Sequence, residues 1–522
     1  MTGDPVGRRR ALGLLAAGSA SVVAGVTGWV TGLGAPASGG YPVTGDQPLR
    51  EPLASTSNNG ALAVSLTAAP GAAVAGQAGA GLGFNGGSPG PTLRVRPGDV
   101  LRVRLINHLQ QPTNLHTHGL HVSPERNGDN PFVVIAPGEV FDYEYTIPAN
   151  HPAGTFWYHP HHHQYVADQL FGGLAGALIV DSGPDLGAAT DRVLLIGDTT
   201  LDDGGRIAAV SAMDRMMGRQ GSLVLVNGQH QPVATAESGV PERWRLINAC
   251  TSRVLSLRLE GHQLTHVARD GYFLPVPEVR DRIVLAPGNR ADVLVHPAAG
   301  RHRLLTDPYD RGNPGMMGGM AATGSTAANG PIALATLVVT GAMSPTASPP
   351  GALPAPALPT GPVTTRRTVT FGMQMGMGGG GMGFTIDGRR FDPQRTDQAV
   401  RLGATEEWLV SNTSPMDSPV PPARVALPGT GHQRKPGSRG KPAGRGARAG
   451  ARLGAPPGDL RRLLRPQRLP LPHPRPRGRR HDGHHPGRTL TLAPGFSPEH
   501  ALLRRPARDR GGMASATPGV LG

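Results

Sequence analysis

The sequence predicts an all-β protein: tandem Greek-key β-sandwiches, two complete and a third interrupted, followed by a disordered basic tail. Three observations carry this. Short apolar–polar alternations of period two recur from about residue 60 to residue 412, punctuated by turn residues. No stretch in that span carries a helical period over a convincing length. Composition then breaks at Ser418, after which 21 Lys/Arg face 4 Asp/Glu and Phe496 is the only aromatic residue. The first 417 residues hold 30 Lys/Arg and 32 Asp/Glu, so the formal charge of +15 belongs to the last fifth of the chain. Such a tail has too little apolar material to bury a core of its own.

Taken in order, residues 1–37 have the form of an export signal. Arg8, Arg9 and Arg10 precede a weakly apolar, Gly/Ala-rich run, and Ala35-Pro36-Ala37 offers a cleavage site. The twin-arginine character predicts a periplasmic, cell-envelope or extracellular protein. The run is short and interrupted for a bilayer span, and nothing else in the chain could span one, so no membrane segment is expected after its removal. The single cysteine, Cys250, excludes an intramolecular disulfide framework and reads as a buried structural thiol.

Residues 55–183 form the first expected sandwich. Thr92–Arg96 and Leu101–Leu105 alternate on either side of a Pro97-Gly98-Asp99 turn, and the apolar run Gly176–Val180 closes the unit. Residues 190–343 form the second, with strands at Val193–Ile196, Leu223–Val226, Arg243–Ile247 and Ala291–Val295. Asn227-Gly228 signals a tight turn there. Residues 344–364 are a proline-rich linker. A third sandwich begins at 365 with Arg367–Phe371 and Glu407–Asn412, and its pattern stops at Asp417. Residues 418–522 are the tail.

The chemistry lies in two segments of the first unit. One is Asn114-Leu115-His116-Thr117-His118-Gly119; the other runs Gly154-Thr155-Phe156-Trp157-Tyr158-His159-Pro160-His161-His162-His163. Residues two apart on a strand share a face, so each H-x-H offers two imidazoles side by side. Two such pairs give four neutral nitrogen donors, suited to copper, zinc or iron. A proline between the second pair fits a strand end, where no ladder donor is lost. Lone histidines on strands are ordinarily surface residues; two pairs about forty residues apart, one abutting an aromatic run, are not.

These segments resemble the multicopper oxidases (laccase-like and cuprous-oxidase-like), whose cupredoxin domains carry T-N-x-H-x-H-G and G-T-x-W-Y-H-x-H. The resemblance covers residues from about 60 to 417. It implies that His116 binds a type 2 copper, and that His118, His159 and His161 bind a type 3 pair. It also implies a one-electron reductant, phenolic or cuprous ion, whose oxidation is coupled to reduction of dioxygen to water. His121, His162 and His163 are read as supporting or exposed. Met316, Met317 and Met320, then Met373, Met375, Met377 and Met382, lie in glycine-rich sequence taken here as loop rather than core. They are candidate Cu(I) ligands, since thioethers are soft donors.

The family's remaining motifs, H-P-x-H-x-H and H-C-H-x-x-x-H followed by methionine, are absent from the frame as written, so the type 1 ligands and half the cluster are missing. Reading one base later from Ser418 restores them. Each new codon takes two bases from one residue and one from the next, leaving the middle base open. Ser418 to Leu427 (SPVPPARVAL) then admits H-P-F-H-L-H-V-W-P-F. Leu469 to Asp482 (LPLPHPRPRGRRHD) admits Y-H-C-H-I-L-D-H-E-D, two further residues, then M-M. The basic tail therefore reads as an out-of-frame translation rather than a nucleic-acid-binding arm, and no nucleic-acid partner is expected. The chain as written is expected to be inactive as an oxidase. The alternative is a non-enzymatic, exported copper-binding protein.

Overall fold

A computed structural model describes residues 45–312, 330–342, 350–355, 362–375, 382–392, 394–401, 404–414 and 417. The expected export signal, the basic tail, and Met316, Met317, Met320 and Met377 lie outside the described residues. The fold is all-β. Among the described residues no helix is long and apolar enough to cross a membrane.

The first unit contains β1 (Ala54–Thr56), β2 (Ala61–Val74), β3 (Gln77–Phe84), β4 (Thr92–Val95), β5 (Val100–Asn107), β6 (His116–His118), β7 (Val140–Thr146), β8 (Gly154–His159), the short helix α1 (Val166–Phe171) and β9 (Gly176–Val180). Two sheets result, ordered β1-β4-β9-β8-β6 and β3-β2-β5-β7. The Pro97-Gly98-Asp99 turn thus passes the chain from one sheet to the other instead of closing a hairpin. Phe156, Tyr158, Leu178 and Val180 enter the core between these sheets. Trp157, Ala177 and Ile179 face the opposite way and join Val193, Leu195, Ile247 and Ala249 of the second unit. Burial on both faces explains why β8 and β9 read as continuous apolar runs rather than alternations.

The second unit contains β10 (Thr190–Thr199), α2 (Ala212–Met217), β11 (Leu223–Val226), β12 (Gln229–His230), β13 (Val233–Glu237), β14 (Glu242–Asn248), β15 (Leu255–Leu259), β16 (Leu264–Arg269), β17 (Tyr272–Arg280), β18 (Ile283–Leu285), β19 (Arg290–Val295), β20 (Gly300–Thr306) and β21 (Ile332–Thr340). A seven-stranded sheet, β12-β11-β10-β14-β19-β16-β17, faces a five-stranded one, β13-β21-β20-β15-β18. Asn227 (φ 50°) and Gly228 (φ 74°) make the β11–β12 hairpin, as the Asn-Gly signal requires.

The third sheet, β23-β22-β24, consists of β22 (Thr365–Met375), β23 (Met382–Ile386) and β24 (Glu406–Asn412), with a small core of Val369, Phe371, Trp408 and Val410. Here the loop reading of three methionines is corrected. Met373 and Met375 are on β22, and Met375 is the register partner of Met382 on β23. The glycines around them obscured the strand pattern.

A repeat runs through all three units. A strand pairs in parallel with a later strand that ends in asparagine: β2 with β5, β10 with β14, and β22 with β24. Each asparagine accepts a backbone N–H from two residues on: Asn107 from Leu109 at 2.9 Å, Asn248 from Cys250 and Asn412 from Ser414 at 3.0 Å. The third sheet thus shares this pairing and this asparagine contact with the first two units.

Candidate metal centre

β6 and β8 are antiparallel neighbours with His116 opposite His159 and His118 opposite Trp157. The period-two rule and this register put both β6 histidines, Trp157 and His159 on one face. Ring nitrogens of His116, His118 and His159 all lie within 4.8 Å of one another. Trp157 fixes two of these rings by stacking, its centroid 4.2 Å from that of His159 and 5.0 Å from that of His118. His161 lies beyond the end of β8, its ring 5.2 Å from that of His116 and 5.8 Å from that of His159. All four predicted histidines are thus gathered, three of them in the tightest grouping.

Hydrogen bonds set which nitrogen of each ring is available. His159 donates from Nδ1 to the Pro160 carbonyl at 2.8 Å, leaving a lone pair on Nε2. His116 donates from Nδ1 to Asp129 Oδ1 at 3.0 Å, which leaves its Nε2 as the nitrogen that can face a metal. The same carboxylate oxygen accepts the Thr117 N–H at 3.0 Å, holding β6 in place. His118 Nδ1 and His159 Nε2 stand 3.4 Å apart. That is long for a hydrogen bond but close to the edge of about 3.3 Å expected for a tetrahedron of 2.0–2.1 Å metal–nitrogen bonds. Two buried imidazoles and a half-buried third with a carboxylate behind it fit a copper ion.

Asn114 joins the two histidine segments. Its Oδ1 accepts the His161 N–H at 2.6 Å, and its Nδ2 donates to the carbonyls of Pro131 and Val133 at 3.1 and 3.2 Å. The other histidines have different work. His121 meets Tyr272 of the second unit at 2.5 Å, and its N–H donates to His151. His162 packs on Tyr165, and the exposed His163 lies against Phe391 of the third unit. Cys250 is buried with its thiol pushed up by burial, Sγ 3.7 Å from the Ile196 carbonyl. Sequence reasoning quoted Asn114 without giving it a role and missed Asp129 altogether. The signal available for Asp129 was an acidic residue in the Asn127-Gly128-Asp129-Asn130-Pro131 turn, following the first histidine pair.

Comparison with known proteins agrees with this geometry. Two multicopper oxidase family profiles match, one over residues 68–185 and the other over 154–324. A multicopper oxidase, mco, of Staphylococcus haemolyticus is 34% identical over 220 residues, covering 41% of this chain and 48% of that protein. The chain thus spans about half the length of that relative. The cell division protein FtsP of Edwardsiella tarda is 30% identical over 344 residues, 64% of this chain and 69% of its own. Among solved structures, a multicopper oxidase from Campylobacter jejuni described as a metallo-oxidase superposes with a TM-score of 0.63 at 27% identity, covering 72% of this chain and 81% of that one. A laccase-like multicopper oxidase, CueO, from Ochrobactrum sp. gives 0.60 at 27% identity, covering 72% and 84%. The chain belongs to the multicopper oxidase family.

Proposed function

We propose that the chain is the exported product of an oxidase gene whose reading frame slips at codon 418, and that as written it is a copper-binding half-site without turnover. The observation that carries this is the grouping of His116, His118 and His159, with Asp129 behind His116. With copper bound, this family's chemistry couples one-electron oxidation of a reductant, phenolic or cuprous ion, to four-electron reduction of dioxygen to water. In this chain His116 would hold the type 2 ion, and His118, His159 and His161 would take their share of the type 3 pair. Asp129 and the Pro160 carbonyl orient the rings, and Trp157 shields them from solvent. Met316, Met317, Met320, Met373, Met375, Met377 and Met382 are kept as candidate Cu(I) contacts.

The slip is supported by the repeat as well as by the codons. In the first unit the histidine pair at His116 follows the strand-ending Asn107; in the third, Asn412 is followed by Asp417 and then by the restored H-P-F-H-L-H. The nucleotide sequence around codon 418 tests this directly. One displaced base restoring H-P-F-H-L-H is the expected result, and no such frame would overturn the slip. Protein from the written frame should lack the blue thiolate-to-copper band and take up no oxygen, whereas frame-corrected protein should show both. A blue band from the written frame would refute the half-site reading.

A second reading is favoured by the FtsP likeness, which spans more of this chain than the staphylococcal one. In it the chain is a non-enzymatic envelope protein acting through a protein surface. Copper stoichiometry separates the two, since that role needs no metal at the histidines.

A further inference from the structure

We infer that Arg219, in the second unit, is a positioning residue for the histidine cluster of the first, acting through α1. The inference rests on reading these histidines as copper ligands. Arg219 is 7% exposed. Its Nη1 pairs with Asp168 at 3.0 Å, its Nη2 donates to the Ala208 carbonyl, and its guanidinium carbon sits 3.6 Å from the centroid of the Phe171 ring. Its own carbonyl accepts the Thr251 hydroxyl at 2.9 Å. Asp168 and Phe171 both belong to α1, so the second unit grips the helix by a charge and by a ring.

From α1 two routes lead to the histidines. Buried Gln169 donates from Nε2 to the Pro112 carbonyl at 2.9 Å and accepts the Thr113 hydroxyl at 2.8 Å, fixing the segment that enters β6. Along the backbone, Gln169 N–H donates to the Tyr165 carbonyl and Tyr165 N–H to that of His162, tying the helix start to the second histidine segment. Asn114, next to Thr113, then clasps His161. The helix cannot hold this place unaided. It has six residues, and Tyr165 at its N-cap supplies no side-chain hydrogen bond. Its position is therefore set by what grips it, and Arg219 does so from outside the first unit. This gives the second unit a part in a centre to which it contributes none of the grouped histidines.

The test compares the full chain with Arg219→Ala and the milder Arg219→Lys, which keeps a charge for Asp168 but cannot stack its planar face on Phe171. Two readouts are taken: Cu(II) affinity with its electron paramagnetic resonance spectrum, and amide hydrogen exchange of residues 112–118 and 159–171. Arg219→Ala should weaken Cu(II) binding by about tenfold, as loss of an outer partner of metal ligands does. It should also alter the spectrum and speed exchange in those two segments, while β14 and β19 stay protected; Arg219→Lys should fall between. Unchanged affinity and exchange, even with a lowered melting temperature, would reduce Arg219 to a structural contact and overturn the inference. A wild-type chain that takes up no Cu(II) would instead sink the copper reading, and exchange in the metal-free protein would still decide the role of Arg219.

Discussion

Replacing Asp129 by alanine removes the acceptor that fixes the His116 tautomer, and with it a partner of the β6 backbone. Cu(II) titration of Asp129→Ala should show binding weakened 10- to 100-fold, and undiminished affinity would mean that the carboxylate only braces the loop. A second residue makes stability depend on pH. His266 on β16 is 3% exposed, with no hydrogen-bond partner for Nε2. Burial, then the charge of Arg269, hold its pKa down to about 4. The unfolded chain binds this proton near pH 6.5, so the native state is undiminished above that value and loses ground as pH falls toward 4. The loss should total about 2–3 kcal/mol. Urea titrations at pH 7 and pH 4.5 should show a smaller pH effect in His266→Gln than in wild type, and identical pH dependence would refute the assignment. His116, His118 and His159 were legible in the sequence because a strand puts residues two apart on one face, and His161, beyond the end of β8, from its spacing to His159 alone. Asp129 was not, because its meeting with His116 depends on how a loop folds back and no local period encodes that.

Strands of the first two units were legible wherever one face is wet or where the run is short and bounded by glycine. Turn chemistry gave the β11–β12 hairpin outright. It could not tell that Pro97-Gly98-Asp99 switches sheets, because a turn fixes a change of direction and says nothing about which partner the next strand takes. The β22–β23 pair was hidden for another reason: glycines near the turn dilute the alternation that strand reading depends on. Gly154, at the start of β8, shows how an element is placed by what it lacks. A Cβ there would sit 2.2 Å from the Gly271 carbonyl oxygen of the second unit, and 2.7 Å from its carbonyl carbon. Neither is a flexible side-chain end, so backbone would have to move. Gly154→Ala should therefore cost about 1–3 kcal/mol by overpacking, read as a drop in melting temperature. A wild-type melting temperature would mean that the two units can separate there without penalty.

At the scale of the whole molecule, three of the joints between the first two units respond differently to solvent. The apolar joint around Trp157 is indifferent to salt. The polar seam is not: Arg94 pairs with Asp191 across it at 3.3 Å, Arg245 donates to the Thr155 hydroxyl at 3.0 Å, and Thr155 donates to Asp292 at 2.6 Å. It borders a polar cavity of about 160 Å³, room enough for water and ions. For Asp191 burial works to raise the pKa, but the Arg245 hydrogen bond and the neighbouring guanidiniums prevail and hold it below the usual value. Its contribution is thus present above the ordinary carboxylate range and lost as pH falls through the lowered value. The third joint is the stretch before β1. Leu49 N–H donates to Val233, Val233 N–H to Gln47, and the Gln229 amide brackets the backbone at Pro48 and Arg50. The chain then crosses into the first unit, where β1 pairs with β4. Residues 46–56 therefore strap one unit to the other with backbone hydrogen bonds that salt does not screen. A chain begun at residue 53 should keep both cores yet lean on the seam. Compared with one begun at residue 38, it should melt earlier in 1 M salt than in dilute buffer and be cut faster by protease between residues 181 and 190. Equal melting and equal cleavage at both salt concentrations would show that the strap holds nothing.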